Sequence, residues 1–260
     1  MSANLKSISG TPVRDRVTEQ EWQMRVDLAA AYQLGAIFKW TDLIYTHFSA
    51  RVPGTEEFLI NPYGLMFDEI TASSLVKIDP QGKIIDDPLG MGVNEAGFVI
   101  HSCIHAARPE IHCVIHTHTR AGVAVSAMKC GLLPISQHAM MVQADIAYHD
   151  YEGIALYKEE QARMARDLGK TAHAMILRNH GLLALGETVR RAFEVMYYLD
   201  CACQIQIDAC SAGMHNVQLM TEAAAQTSTE QFNRPNRPGG YKDWPALLRM
   251  LERRGIKYAV

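Results

Sequence analysis

The segment Cys113–Thr119 (CVIHTHT) constrains the fold of this chain most tightly, because it combines a buried strand with two ligand-type side chains. Side chains alternate between the two faces of a β-strand, so His116 and His118 project from the same face. Val114 and Ile115 are both apolar, which indicates a strand covered on both sides. Two buried imidazoles without partners would be costly, whereas neutral imidazole is a common metal ligand. The pattern therefore favours metal binding over two histidines that face solvent.

A third ligand is needed for a catalytic site, and His180 is the best candidate. It stands in an Asn-His-Gly turn between two apolar segments, Ala174–Arg178 and Leu182–Leu185, and Gly181 allows a close backbone approach. Considered alone, a histidine in such a turn has no ligand role about as often as it has one. Three histidines that leave one coordination position open are typical of catalytic rather than structural metal sites.

Other residues of ligand type give weaker signals. His101 and His105 are four residues apart on one predicted helix face, but no glutamate completes a metalloprotease motif, so we expect them to pack near a site or an interface. The pair Cys201-x-Cys203 lacks a second cysteine or histidine pair at zinc-finger spacing. The six cysteines are therefore expected to be small buried hydrophobes in a reducing compartment.

The composition narrows the class of protein. The chain has 260 residues, of which 48% are hydrophobic and 20% charged, which is typical of a soluble globular protein with a real core. A formal net charge of −3 gives no support for nucleic acid or an anionic membrane as partner. No apolar run approaches the roughly 18 residues of a membrane span, and the first residues lack the apolar stretch of a secretory signal. We therefore expect a cytoplasmic protein.

The order of predicted elements indicates one main domain. We expect a flexible arm over residues 1–17, a domain over 18–215, and a C-terminal extension over 216–260 with a proline-rich segment and a short helix. Thr18 and Glu21 fit a capping box that starts the first helix. Strands are predicted at Ile44–Val52, Glu57–Asn61, Ser74–Asp79, Ile84–Ile85, Cys113–Thr117, Ala174–Arg178 and Leu182–Leu185. Further helices are predicted at Glu95–Ala107, Arg120–Cys130, Lys158–Gly169, Thr188–Cys210 and Pro245–Arg254. This order favours an α/β fold with a mixed or antiparallel central sheet flanked by helices.

Several segments in a fixed order resemble the class II aldolase/adducin superfamily. ARPEIHCVIHTHTRAGVAVSAM and, later, LRNHGLLALGETVRRAF carry the family resemblance, which runs from about Trp22 to Gly213. FLINPYGLMFDEITASSLVKID, AMKCGLLPIS and AYHDYEGI are more similar to the adducin-head branch than to the sugar-phosphate aldolases. The resemblance implies a three-layer class II aldolase-like fold and a homotetramer with its pocket at a subunit interface.

The resemblance also implies a metal site. In family members with aldolase activity, the positions that match His116, His118 and His180 bind zinc, which polarises the substrate carbonyl as a Lewis acid. Zinc is the first expectation here, and iron, manganese, cobalt and nickel remain alternatives because imidazole ligands suit several of these ions.

The acid/base position departs from the family pattern. The catalytic glutamate falls on Gly97, and the nearest carboxylate, Glu95, is two residues earlier, about 200° away around a helix. Glu95 or a metal-bound hydroxide is left as the base. Tyr148 matches a tyrosine that donates a proton from the neighbouring subunit, although an interior packing role fits it equally well.

The phosphate-binding positions depart as well. The asparagine of the phosphate motif falls on or near His47, a Ser-Gly turn becomes Tyr63-Gly64, and a Ser-Ser pair becomes Glu95-Ala96. His47, Tyr63 and Gly64 are therefore candidate substrate-binding residues, and Glu95 would repel a phosphate. The ligands match the family, whereas the phosphate cradle does not.

These observations leave three functional hypotheses. The first is a metal-dependent carbon–carbon lyase of the aldehyde-lyase type that acts on a non-phosphorylated oxygenated small molecule. The second is a non-catalytic oligomerisation or interaction module like the adducin head. The third is a three-histidine non-haem iron oxygenase or decarboxylase. Three converging histidines favour an enzyme, because an interaction module has no need of them.

Overall fold

The strands and helices follow the predicted order. The computed structural model describes residues 11–153, 158–232, 234 and 242–260. The helices are α1 (Glu19–Ile37), α2 (Glu95–Ala107), α3 (Arg120–Ser126), α4 (Gln137–Met140), α5 (Lys158–Leu168), α6 (Val189–Cys210), α7 (Glu222–Phe232) and α8 (Asp243–Arg253). The strands are β1 (His47–Arg51), β2 (Phe58–Ile60), β3 (Val76–Ile78), β4 (Ile84–Asp86), β5 (Cys113–Thr117), β6 (Ile146–His149), β7 (Ala174–Leu177) and β8 (Gly181–Gly186).

The strands form one mixed sheet. Its eight strands lie in the order β4-β3-β2-β1-β5-β8-β7-β6. Neighbouring strands are antiparallel except β6 and β7, which run parallel. In the centre, β1 pairs with β5 so that His47 lies opposite His116, and β8 covers the other edge of β5. The predicted α/β class with a mixed central sheet is confirmed.

Helices cover both faces of the sheet. On one face, α1 and α6 pack on the larger core, which includes Phe48 and Ile115. On the other face, α2 and α5 pack on a smaller core that includes Val114. Because side chains alternate along a strand, β1 presents Phe48 and Ala50 to the larger core and His47, Ser49 and Arg51 towards α2. The three-layer arrangement therefore places a polar strand face beneath α2.

Tyr32 in α1 fixes the start of β1. The pairing of β1 with β2 begins at Ser49, which lies opposite Ile60. The backbone N–H of the preceding residue, Phe48, donates instead to the Tyr32 hydroxyl at 2.6 Å. The same hydroxyl donates to Asn61 Oδ1 at 2.8 Å. Tyr32 is fully buried, so no water can replace these bonds. The tyrosine thus holds the strand at the residue next to His47.

Several predicted boundaries change for identifiable reasons. Thr18 caps α1, but the Glu21 carboxylate accepts from Arg25 and Lys77 rather than completing a capping box. Helix α3 ends at Ser126 and not at Cys130, because the Ser126 carbonyl accepts from Asn179 N–H at 3.3 Å. Strand β6, the short helix α4 and helix α7 were not predicted. Strand β6 is a four-residue edge strand, and α7 has no buried residue that would give an apolar period.

The chain ends are described only in part. Of the predicted arm over residues 1–17, residues 1–10 lie outside the described residues. In the rest of the arm, Val13–Asp15 forms one 3-10 turn. Of the proline-rich segment, only Arg234 is described, and the short helix predicted after it is α8. Among the described residues, no helix has both the length and the apolar character needed to cross a membrane.

Removing the Tyr32 hydroxyl should destabilise the protein. Tyr32→Phe leaves the Phe48 amide and the Asn61 side chain without this partner inside the core, which costs about 1–3 kcal/mol of unfolding free energy. Urea unfolding followed by circular dichroism measures the change. Tyr45→Phe is the control, because the same hydroxyl is removed from a ring that is 48% exposed. Equal stability of the two variants would contradict the role given to Tyr32.

Candidate metal centre

Three histidines from two parts of the sheet converge. His116 is in β5, His118 follows that strand, and His180 lies in the turn between β7 and β8. One ring nitrogen of each lies within 4.8 Å of one ring nitrogen of the other two. The ring centroids are 4.7 Å apart for His116 and His118, and 4.9 Å apart for each of them and His180. The structure thus brings together the three ligands expected from the sequence.

The turn that carries His180 has a local cause. Asn179 adopts a left-handed conformation with φ of 56°, which asparagine tolerates better than most residues. A Cβ atom at Gly181 would lie 2.4 Å from the Thr117 carbonyl oxygen, so only glycine fits there. The close approach of β8 to the end of β5 brings His180 beside His116 and His118.

Hydrogen bonds fix the tautomers of two of these rings. His116 Nδ1 is 3.0 Å from the Leu182 carbonyl oxygen, and His118 Nδ1 is 2.9 Å from an Asp42 carboxylate oxygen. Both oxygens can only accept, so each Nδ1 carries the proton and each neutral ring has a bare Nε2. Those two Nε2 atoms are 2.9 Å apart. Two lone pairs at this distance repel each other unless a cation lies between them.

Burial disfavours the charged form of two members of the cluster, His116 and His180. It holds the pKa of His116 well below its ordinary value of 6.5, and the nearby imidazoles of His180 and His118 add to the effect. Burial, followed by His118, lowers the pKa of His180 to about 4. Neutral imidazoles with oriented Nδ1–H groups are the form in which histidine binds metals. The donor set therefore fits a divalent cation, which His116, His118 and His180 could hold.

The cluster opens into a cavity of about 700 Å³. This volume suits a small molecule. Polar groups converge on it from several loops: Asp42, Tyr45, His47, Tyr63, Asn94, Glu95, Tyr151 and the three clustered histidines. Tyr45, Tyr63 and Tyr151 are exposed at the rim.

The structure separates the predicted catalytic and substrate-binding residues into two groups. Glu95 lines the cavity as the first residue of α2, and it is outside the ligand cluster that the described residues form. His47 and Tyr63 also line the cavity, and Gly64 follows Tyr63 with φ of 115°. Tyr148 lies elsewhere within its own chain. Its hydroxyl accepts from Leu132 N–H at 3.1 Å, as an interior packing role requires, and its role as donor to a neighbouring subunit stays a prediction.

His47 and Gly97 depend on each other. A Cβ atom at Gly97 would lie 2.6 Å from His47 Cδ2 and 2.8 Å from His47 Nε2. The imidazole of His47 therefore fills the space in which a side chain at position 97 would begin. This contact gives a packing reason for glycine at the position where the family resemblance leads one to expect a glutamate.

Four functional candidates were missed or undervalued from the sequence. Asp42 orients His118 from a loop 76 residues away, and nothing in its local pattern signals this. Ser49 shares the strand face of His47, so alternation along β1 could have found it. His101 and His105 pack near the site as expected, but they also hydrogen-bond with His47 and Ser49.

Comparison with known proteins identifies the family of this chain. Residues 26–207 match the family model described as the class II aldolase and adducin N-terminal domain. This chain belongs to the class II aldolase and adducin family. An aldolase II superfamily protein from Pseudomonas syringae is 54% identical, with a TM-score of 0.92 over 96% of this chain and all of that one.

Two further relatives represent the enzymatic and adducin branches of the family. An L-fuculose 1-phosphate aldolase from Glaciozyma antarctica is 28% identical, with a TM-score of 0.80 over 98% of this chain and 97% of that one. Mouse alpha-adducin is 43% identical over 247 residues, which are 90% of this chain and 34% of the adducin. The predicted resemblance to this family is confirmed.

The buried histidines beside the cluster should make stability depend on pH. Burial, followed by Arg51, lowers the pKa of His105 to about 3, against an ordinary value of 6.5. Above pH 6.5 the ring is neutral in both the folded and unfolded chain. Between pH 6.5 and pH 3 this ring binds a proton in the unfolded chain but not in the folded chain, so the free energy of unfolding falls as the pH drops towards 3. His105→Gln should reduce this slope by up to about 1.4 kcal/mol per pH unit.

Urea unfolding at pH 7.5, 6, 5 and 4, with a chelator present, measures this slope. Ile104→Val is the control, because it removes one methylene group from a fully buried neighbour on α2 and adds no titratable group. It should lower stability equally at every pH. A His105→Gln slope equal to that of the wild type would refute the argument.

Proposed function

We propose that this protein is a divalent-metal-dependent carbon–carbon lyase of the aldehyde-lyase type, acting on a non-phosphorylated oxygenated small molecule. The convergence of three imidazoles on a cavity of about 700 Å³ carries the proposal. Similarity to a protein described as an L-fuculose 1-phosphate aldolase supports the lyase class.

The residues have distinct roles in this proposal. His116, His118 and His180 hold the ion, and Asp42 and the Leu182 carbonyl orient the first two rings. The bound ion acts as a Lewis acid on the substrate carbonyl. Zinc is the first candidate, and iron, manganese, cobalt and nickel follow because ligand type alone does not choose among them.

Glu95 is the proposed base. Its position on the cavity lining and outside the ligand cluster leaves the carboxylate able to take or return a proton from a bound substrate. Tyr148 would donate its proton to the cavity of a neighbouring subunit. That role requires the expected homotetramer, for which α6 offers a surface: Phe193, Val195, Met196 and Leu199 are buried within the chain, whereas Tyr197, Tyr198, Ile205 and Ile207 are half-buried.

The cavity chemistry supports a substrate without phosphate. Glu95 matches a position of the phosphate cradle in the family resemblance, and its carboxylate would repel a phosphate there. His47 and Tyr63 line the region in which the family cradle is expected to offer small donors. The aldolase relative is described by a phosphorylated sugar, so this chain would differ from it in substrate class.

An interaction module is the second candidate, supported by the 43% identity to mouse alpha-adducin. A module of this kind needs the fold but has no use for oriented ligands. A three-histidine iron oxygenase or decarboxylase remains the third candidate, and oxygen consumption by the iron-loaded protein would favour it over the lyase.

Metal loading tests the ligand set. His180→Ala should lose the bound ion, and Asp42→Asn should weaken binding about 10–100-fold because the ring of His118 loses its charged orienting partner. Elemental analysis after dialysis and competition with a chromophoric chelator measure both effects. His138→Ala, which removes an exposed imidazole on α4, is the control. Full metal content in His180→Ala would exclude the proposed site.

Substrate class tests the reaction. The zinc-loaded protein should cleave unphosphorylated hydroxyaldehydes or hydroxyketones and leave L-fuculose 1-phosphate nearly untouched, as coupled aldehyde detection would show. Glu95→Gln should lower turnover about 10²–10⁴-fold without loss of metal, because it removes the base and keeps the shape. Efficient cleavage of the phosphorylated sugar, with none of its unphosphorylated form, would overturn the proposed substrate class.

A further inference from the structure

A series of hydrogen bonds between buried side chains connects the cavity to the C-terminal end of α2. It runs from the Ile111 carbonyl through His105, Ser49 and His101 to His47. All four side chains are buried, and Ser49 and His101 are completely so. We call this series of four side chains, His105, Ser49, His101 and His47, the histidine relay. Each of its members has a polar atom that must be matched by a partner, because burial removes these atoms from bulk water.

The carbonyl at one end sets the direction of every hydrogen bond. His105 Nδ1 lies 3.2 Å from the Ile111 oxygen, which can only accept, so Nδ1 carries the proton and Nε2 of the neutral ring is bare. Ser49 Oγ is 2.8 Å from that Nε2 and donates its one proton to it. The serine oxygen must then accept from His101 Nδ1, at 2.5 Å.

The direction of these hydrogen bonds also fixes the tautomer of His47, at the cavity. With its proton on Nδ1, His101 has a bare Nε2, and His47 Nδ1 donates to it at 2.8 Å. His47 therefore has a bare Nε2, which lies beside Gly97 of α2, and the hydrogen bonds of the described residues include none to that atom. His47 lines the cavity beside the three clustered histidines, with its ring centroid 5.1 Å from that of His116.

We propose that the histidine relay is positioning machinery: Ser49, His101 and His105 fix His47 as a hydrogen-bond acceptor, and this acceptor selects a hydroxyl group of the substrate. The inference rests on the proposed function and names its substrate class more closely, as a hydroxylated carbonyl compound. A hydroxyl supplies the proton that Nε2 lacks. A phosphate monoester offers acceptor oxygens at neutral pH, so it meets a lone pair instead of a donor.

Three probes that share one metal-chelating group isolate this contact: acetohydroxamate, glycolohydroxamate and phosphoglycolohydroxamate. They differ in carrying no hydroxyl, a hydroxyl or a phosphate at the same carbon. Calorimetry on the zinc-loaded protein should give glycolohydroxamate an affinity about five- to tenfold above that of acetohydroxamate, as expected for one hydrogen bond. Phosphoglycolohydroxamate should gain nothing over acetohydroxamate.

Two variants at one position separate positioning from mere packing. His101→Leu removes the acceptor for His47 Nδ1, so the hydroxyl advantage should disappear while the metal content stays. His101→Gln supplies an amide donor for Ser49 and a carbonyl acceptor for His47, so the advantage should return. Should His101→Leu fail to fold, Ser49→Ala interrupts the relay at the adjacent hydroxyl and should have the same effect.

A second measurement needs no metal. In the metal-free protein labelled with ¹⁵N-histidine, His47, His101 and His105 should all be Nδ1–H tautomers, each assigned by its loss in one variant. In His101→Leu, His47 should become a mixture of tautomers.

The outcomes distinguish the two proposals. Zinc-loaded protein that binds both simple hydroxamates equally, or a hydroxyl advantage that survives His101→Leu, overturns the relay and leaves the lyase proposal intact. Protein that binds no metal overturns the lyase proposal and the substrate selection with it. An Nε2–H tautomer at His47 in the metal-free protein overturns the relay independently of any metal.

Discussion

The antiparallel pairing of β1 with β5 is the constraint on which the site depends. It sets His47 opposite His116, so two imidazoles emerge side by side from the same face of the sheet. The opposite face of the same two strands belongs to the larger core through Phe48 and Ile115. A slip of one residue would turn the histidines into that core and the apolar side chains into the cavity. The register is thus fixed by apolar burial, and the polar chemistry depends on it.

The same pairing gives α2 its second function. The helix packs on the smaller core with Ile100 and Ile104. Its His101 and His105 face the polar side of β1. A helix that only covered a sheet would keep this face apolar, because buried polar groups need partners. Here the hydrogen bonds between these partners all run in one direction. The same contacts therefore fix how α2 packs on β1 and which nitrogen of each imidazole carries the proton.

The sequence predicts the fold and the ligand pair well, because both depend on local periodicity. The bounds of α2 and β5 agree with the prediction, and alternation alone places His116 and His118 on one face. His180 was the best third candidate from its turn alone, but only the family resemblance favoured it clearly over a histidine without a ligand role, because a turn histidine has no period. Asp42 could not be predicted, since its contact with His118 depends on how a loop 76 residues away returns to the sheet. The role of His101 and His105 was hidden for a similar reason: their spacing shows a shared helix face but not the strand beneath it.

The contact between His47 and Gly97 has a consequence for how such pockets evolve. A side chain at position 97 collides with the imidazole, and a smaller residue at position 47 would leave a gap beneath α2. Neither change is tolerated first, so the route between this pocket and one that carries a glutamate at position 97 crosses an intermediate that is poorly packed in either order. The two positions form an epistatic pair. With histidine at position 47, a single substitution cannot place a glutamate at position 97 without this collision, so both positions have to change together.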